Sequence, residues 1–301
     1  MGYEITTHPL RGVEATPGSG RYGIFDHGAH IWSYQPDGQA PVVWMSEKSW
    51  YSDGQPVRGG VPVCFPWFGP GRSGDLQPIH GFARLSTWHM SDIKDTIERD
   101  GRLIVEYELD EAMTCTQEHN PEKYTAYLRA KFTPEYLGIE LEVTNTGETD
   151  FTFDNALHTY LVVGDVREVT LSGLDGVAYV DKVTGTDAVQ SGDVTFSGET
   201  DRVYASTGEV VLNDPVLGRK LIISKGGSAK TVVWNPWVDK SAAMADFGDD
   251  EWIGMLCVEA ANGLDAPITL RPGETHHLKQ RITLSLIHIS ACPTSSRCRT
   301  T

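Results

Sequence analysis

The strongest constraint on this chain is a recurrence: short segments rich in Val, Ile, Tyr, Phe, Trp and Thr, bounded by Gly, Pro, Asn or Asp, follow one another almost end to end. Sustained helical periodicity is absent. Segments 29–34, 41–45, 102–109, 124–132, 137–144, 151–163, 203–206, 220–224, 231–234, 252–259 and 280–286 read as strands. In one of them Ile139, Leu141 and Val143 alternate with Glu140 and Glu142, the period-two signature of a strand with one buried and one wet face. Pro36-Asp37-Gly38 reads as a hairpin turn, and 240–247, with Ala242, Ala243 and Met244, as the best short helix. Strands without intervening long helices predict antiparallel sheets, so the chain should be all-β, a large antiparallel β-sandwich.

A length of 301 residues suits one large β domain, expected over 1–286. Beyond it, 287–301 loses the strand patterning and crowds in Cys292 and Cys298, so it is expected to be a disordered or non-native tail. Asp plus Glu number 41 against 25 Lys plus Arg, a net charge of -16, and no basic run offsets this repulsion from a phosphate backbone. Nucleic acid is therefore not an expected partner. An anionic small molecule would need a few Arg side chains focused in one cleft. No segment reaches the ~18 consecutive apolar residues of a membrane span, and the N-terminus lacks a secretory pattern, so no membrane partner and a cytoplasmic location are expected. Cys64, Cys115 and Cys257 read as reduced thiols, with Cys64 and Cys257 serving as small buried hydrophobes.

Four segments can carry chemistry. The loop from Arg58 to Pro70 pairs glycines, which allow a backbone to approach a ligand closely, with prolines and aromatics that could wall a pocket. His80 and Arg84 follow, separated by small and apolar residues. In the next segment His158 and Tyr160 share one face of a strand and oppose Thr159. Finally, Glu259 is the single carboxylate of a nearly apolar strand, where desolvation raises its pKa and suggests a hidden partner or a tuned general base. The histidines show no metal-ligand spacing, and neither a nucleophile elbow nor a glycine-rich phosphate loop is present in the sequence.

Taken together, Gly28 to Ser33, Arg58 to Pro70, His80 to Arg84, His158-Thr159-Tyr160, Thr200 to Tyr204, Val233 to Trp237 and Cys257-Val258-Glu259 resemble the glucose-6-phosphate 1-epimerase (hexose-6-phosphate mutarotase) branch of the aldose 1-epimerase family. The resemblance runs in order through roughly 20–285. It implies the galactose mutarotase-like supersandwich and the interconversion of hexose 6-phosphate anomers, glucose 6-phosphate foremost, without cofactor or metal. A monomer is expected. By that resemblance His158 is the general acid and Glu259 the general base, His80 and Asp201 complete the polar cluster, and Arg58 and Arg84 hold the phosphate. Arg202, beside Asp201 on a strand, should face away and is left out. The rival readings are an aldose 1-epimerase of neutral sugars and a noncatalytic carbohydrate-binding protein on the same fold. The mechanism calls for ionised Glu259 and protonated His158, each stabilising the other's charge, while Trp32, Trp67, Phe68 and Trp237 could offer flat faces to the sugar.

Overall fold

The computed structural model of the chain describes residues 2–119, 123–263 and 265–286, so the tail 287–301, with Cys292 and Cys298, lies outside the described residues. Two eight-stranded antiparallel sheets carry most of the chain. The first runs in the order Thr170–Ser172, Val210–Asp214, Arg219–Gly226, Thr275–Leu286, Tyr136–Asn145, Tyr124–Phe132, Arg102–Asp110 and His89–Thr96. The second runs Thr186–Val189, Ala178–Asp181, Thr200–Tyr204, Lys230–Asn235, Met255–Asn262, Asn155–Leu157 and Val63–Cys64, with Tyr160–Val162 also paired to Met255–Asn262. A four-stranded sheet of Tyr3–Thr6, Gly12–Ala15, Arg21–Phe25 and His30–Gln35 accompanies them, as does a short pair, Phe151–Phe153 with Ile268–Leu270.

The alternation in sequence is what stacks these sheets. Along Tyr136–Asn145, Leu137, Ile139, Leu141 and Val143 are buried while Glu140 and Glu142 remain at the surface. The buried face joins Leu128, Leu221 and Ile282 of the same sheet and Leu161, Leu256 and Val258 of the other in one core. Each such side chain contributes about 1.5–3 kcal/mol through burial. A polar stitch crosses this core as well, with Gln280 accepting the Thr159 hydroxyl proton and donating to the Val258 carbonyl at 2.9 Å. The expected antiparallel β-sandwich is therefore the observed architecture. Among the described residues no helix is long and apolar enough to cross a membrane.

Several local expectations need correction. The run 151–163 forms three strands rather than one. The chain changes partner at Asp154, whose N–H goes to Pro66, and is interrupted again at His158, whose N–H goes to Pro62. Segment 41–45 makes only isolated bridges, Val43 with Leu161 and Met45 with Gly59. The short helix is Trp237–Ala243, earlier than expected; Pro236 precedes it and the Asn235 side chain accepts the Trp237 N–H at 2.9 Å. Pro36-Asp37-Gly38 does turn the chain, bringing the Val42 N–H to the Tyr34 carbonyl at 2.9 Å.

Candidate active site

The second sheet has one face in the core and one turned away from it, and the turned-away face collects the titratable residues. Asp201 lies opposite Trp234, Trp234 opposite Cys257, and Cys257 opposite Tyr160. Side chains alternate along a strand, so Glu259 shares the face of Cys257 and His158 that of Tyr160. The acid and base foreseen in the sequence therefore meet: His158 Nδ1 is 3.5 Å from Glu259 Oε1. The His158 ring stacks on Tyr160 at 4.8 Å and meets the edge of Trp234 at 6.1 Å.

Loops supply the remaining groups. His80 is brought to 5.6 Å from His158, ring edge to ring face, and its other flank meets Phe68 at 4.8 Å. Its backbone is left-handed, φ 68°, an uncommon state for a non-glycine residue. Two bonds to Gly69 hold it there: the His80 N–H donates to the Gly69 carbonyl at 2.7 Å, and His80 Nδ1 accepts the Gly69 N–H at 3.1 Å. Because Nδ1 accepts, the neutral ring carries its proton on Nε2. The neighbouring Gly81, at φ 74°, sits so close to the Phe65 carbonyl that a Cβ would collide with it.

Arg58 donates to Asp246 at 3.2 Å and 3.3 Å, and to the Tyr160 hydroxyl at 3.1 Å. Arg84, on the short helical turn Ala83–Leu85, differs from it. It donates to the Ile79 carbonyl at 2.6 Å, its buried Nε has no partner, and no carboxylate pairs with it among the described residues. A third cation, marked by no pattern in the sequence, is Lys182. It follows the Ala178–Asp181 strand, its N–H donates to the Asp201 carbonyl at 2.8 Å, and its ammonium lies 6.0 Å from the Phe68 ring.

The electrostatics overturn one expectation. Pairing was expected to favour imidazolium and carboxylate together, yet burial dominates at both positions. It lowers the His158 pKa to about 3, helped by the positive fields of Arg84, Arg58 and Lys182. It raises the Glu259 pKa well above the usual carboxylate value, helped by Asp201 and opposed by Lys182. Burial thus favours the neutral forms of both, an imidazole beside a carboxylic acid. Burial, then Arg84 and His158, likewise holds His80 neutral. Burial also raises the Asp201 pKa, with Lys182 and Lys240 opposing it. Burial works against the Arg58 charge as well, but Tyr160 and Asp246 outweigh it and its pKa rises. Arg84, lacking such partners, has its pKa lowered by burial.

Other candidates fall elsewhere. The paired glycines serve the core rather than a ligand: a Cβ on Gly59 would press on the Met45 backbone, and one on Gly60 would collide with His30 and the Ile31 carbonyl. Of the four aromatics expected to offer flat faces, Phe68 is the one that touches the histidine cluster. Trp32 stacks on Phe25, Trp67 donates to Pro78 and packs on Phe82, and Trp237 packs on Trp252. Trp234, which was not proposed as a platform, does reach His158. Arg202 turns to Asp181 and Tyr179, as strand alternation required. Cys64 and Cys257 are buried free thiols whose pKa values burial raises. His277, with Glu140 and Glu142, forms a separate cluster on the first sheet. A cavity of about 390 Å³ lined by Pro66, Trp67, Arg72, Asp150 and Asp154 among others includes none of the acid–base residues.

This arrangement can bind an anion through Arg58, Arg84 and Lys182 and can move protons between His158 and Glu259. Known proteins resemble the chain over most of its length. Residues 14–283 match the aldose 1-epimerase family. A protein of Cenchrus ciliaris, provisionally named glucose-6-phosphate 1-epimerase, is 32% identical over 281 residues, covering 89% of this chain and 82% of its own. One from Escherichia coli K12 with the same provisional name is 36% identical over 239 residues, covering 78% and 77%. The crystal structure of a provisionally described mutarotase from Salmonella typhimurium superposes with a TM-score of 0.82 at 31% identity, covering 92% of this chain and 90% of its own.

Proposed function

We propose that this chain, which belongs to the aldose 1-epimerase family, is an isomerase that interconverts the α and β anomers of a hexose 6-phosphate. Mutarotation removes a proton from the anomeric hydroxyl and delivers one to the ring oxygen as the bond between C1 and that oxygen breaks. Rotation about C1–C2 then presents the other carbonyl face, and the transfers reverse on closure. One positioned base and one positioned acid are enough, each worth roughly 10²–10⁴-fold in rate. The observation that carries this reading is the buried contact of His158 with Glu259 at 3.5 Å.

Glu259 takes the hydroxyl proton while His158 gives one to the ring oxygen. Opening then leaves an imidazole beside a carboxylic acid, the forms that burial favours. The two states hold the same number of protons, so a full cycle needs none from solvent. His80, with its Nε2 proton free to donate, and Asp201 are placed to fix the sugar hydroxyls.

Arg84 separates this reading from an epimerase of neutral sugars. A partly buried guanidinium without a carboxylate is costly unless a ligand supplies the counter-charge. A phosphate also accepts several charge-assisted hydrogen bonds at once. A cytoplasmic setting goes with such a substrate, because a phosphate ester does not cross a membrane unaided. The test is anomer exchange of glucose 6-phosphate followed by NMR saturation transfer. Exchange well above the spontaneous rate supports the assignment. A protein that binds the sugar phosphate without accelerating exchange is instead a noncatalytic carbohydrate-binding protein.

A further inference from the structure

On the reading that Arg58, Arg84 and Lys182 receive a phosphate, we propose that this group is a switch for the chemistry as well as a handle for binding. Its negative charge cancels the cationic field on His158 and so lets that imidazole take up the proton it must deliver to the ring oxygen.

The geometry relates each cation to His158 through intervening residues, Arg58 most directly. Arg58 donates at 3.1 Å to the hydroxyl of Tyr160, whose ring is stacked on His158. Arg84 ties down the Ile79 carbonyl at 2.6 Å, immediately before His80, whose ring meets His158 at 5.6 Å. Lys182 lies over Phe68, which packs on the other flank of His80. Among the described residues Arg58 is the one of these cations paired with a carboxylate, Asp246. The other charged or titratable groups facing His158 are Tyr160 on its own segment, Glu259 and Cys257 on the adjoining strand, and Asp201 beyond Trp234. Asp201 adds to the rise in the Glu259 pKa.

The cations do not weigh equally on the two partners. Arg84, Arg58 and Lys182 all oppose the charged form of His158, whereas only Lys182 is a principal cationic influence on Glu259. Seating a dianion on the three therefore favours imidazolium more than it disfavours carboxylate. The proton already on Glu259 moves to His158 Nδ1, the bond from Oε to hydrogen breaking as the one from nitrogen forms. No proton enters from solvent, and the product is the charge-separated pair that opens the ring. A neutral hexose, which cannot cancel the field, meets a site resting in its unreactive form.

The experiment offers the substrate in two pieces: unphosphorylated glucose, and inorganic phosphite dianion for the missing group. Anomer exchange of glucose is followed by NMR across a phosphite titration, and phosphite is also tested as an inhibitor of glucose 6-phosphate exchange. One unit of pKa changes the imidazolium fraction about tenfold while it is small, so glucose exchange should rise about tenfold or more. The rise should be saturable, with a constant matching phosphite inhibition of glucose 6-phosphate. The ¹⁵N resonances of His158 should move toward imidazolium over the same titration. If phosphite inhibits glucose 6-phosphate exchange but neither accelerates glucose nor moves the His158 resonances, the phosphate is a handle only and the proposal is overturned. If phosphite does neither and glucose 6-phosphate is no better a substrate than glucose, the phosphate reading itself fails.

Discussion

Replacing Glu259 by Gln should push activity and stability in opposite directions, because the buried carboxyl is built for proton transfer at the expense of the fold. Glu259 is 1% exposed, and its Oε2 has no hydrogen-bond partner. The amide keeps the shape but cannot take the proton of the anomeric hydroxyl, so exchange should fall by roughly 10²–10⁴-fold while sugar phosphate still binds. The sign of the stability change follows from linkage. The folded pKa of Glu259 lies well above its ordinary value of 4.5. The contribution of this group to stability is thus complete below that value and is lost as pH rises through the folded pKa. Inside that window each pH unit removes up to about 1.4 kcal/mol. Gln does not titrate, so Glu259→Gln should gain on wild type as pH rises from about 5 to about 8. Urea unfolding at the two pH values, with anomer exchange on the same samples, measures both effects. A stability difference that does not change with pH would falsify the protonated carboxyl in the folded protein. Near wild-type exchange would remove Glu259 from the base role.

Other expectations follow from the same contacts. His158 has a folded pKa of about 3 against an ordinary 6.5, so it contributes fully above 6.5 and that stability is lost as pH falls toward 3. At about pH 5 the loss is on the order of 2 kcal/mol, and His158→Asn should be spared it while losing most exchange activity; equal acid sensitivity in both proteins would contradict this. Asp246→Asn breaks a largely buried pair with Arg58 and should cost about 3 kcal/mol in urea unfolding while raising KM for the sugar phosphate more than for the sugar. Unchanged KM for both would show that Asp246 does not position Arg58. Exhaustive chelation should leave exchange unchanged, since two proton transfers need no Lewis acid, and loss restored by one particular divalent ion would contradict the mechanism.

The sequence revealed most where one residue type has one physical use. Alternation of Leu137 to Val143 with Glu140 and Glu142 could only be a half-buried strand, and Glu259 in an apolar run could only be costly. Strands that bury little are hard to read: Thr186–Val189 is mostly exposed and carries no alternating apolar pattern. The same logic divides the site. His158, Glu259, His80, Arg58 and Arg84 stand in unusual local surroundings, whereas Lys182 sits in an ordinary polar turn and reaches the site only because Ala178–Asp181 pairs with Thr200–Tyr204. The protonation of the pair is not legible in the sequence for a related reason. Spacing along a strand shows that an acid and a base can share a face, but not how deeply the two are buried together.

The central claim is that this site selects and isomerises a sugar phosphate, and one ratio tests it most directly: catalytic efficiency on glucose 6-phosphate over that on glucose, in wild type and in Arg84→Ala. Hydrogen bonds to a charged group contribute about 1.5–3 kcal/mol each, or roughly 10- to 150-fold in affinity. The account predicts a strong preference for the phosphate in wild type and a fall in the ratio by about that factor in the variant. A wild-type ratio near unity, or one that Arg84→Ala leaves unchanged, would contradict it and leave an epimerase of neutral sugars as the better description.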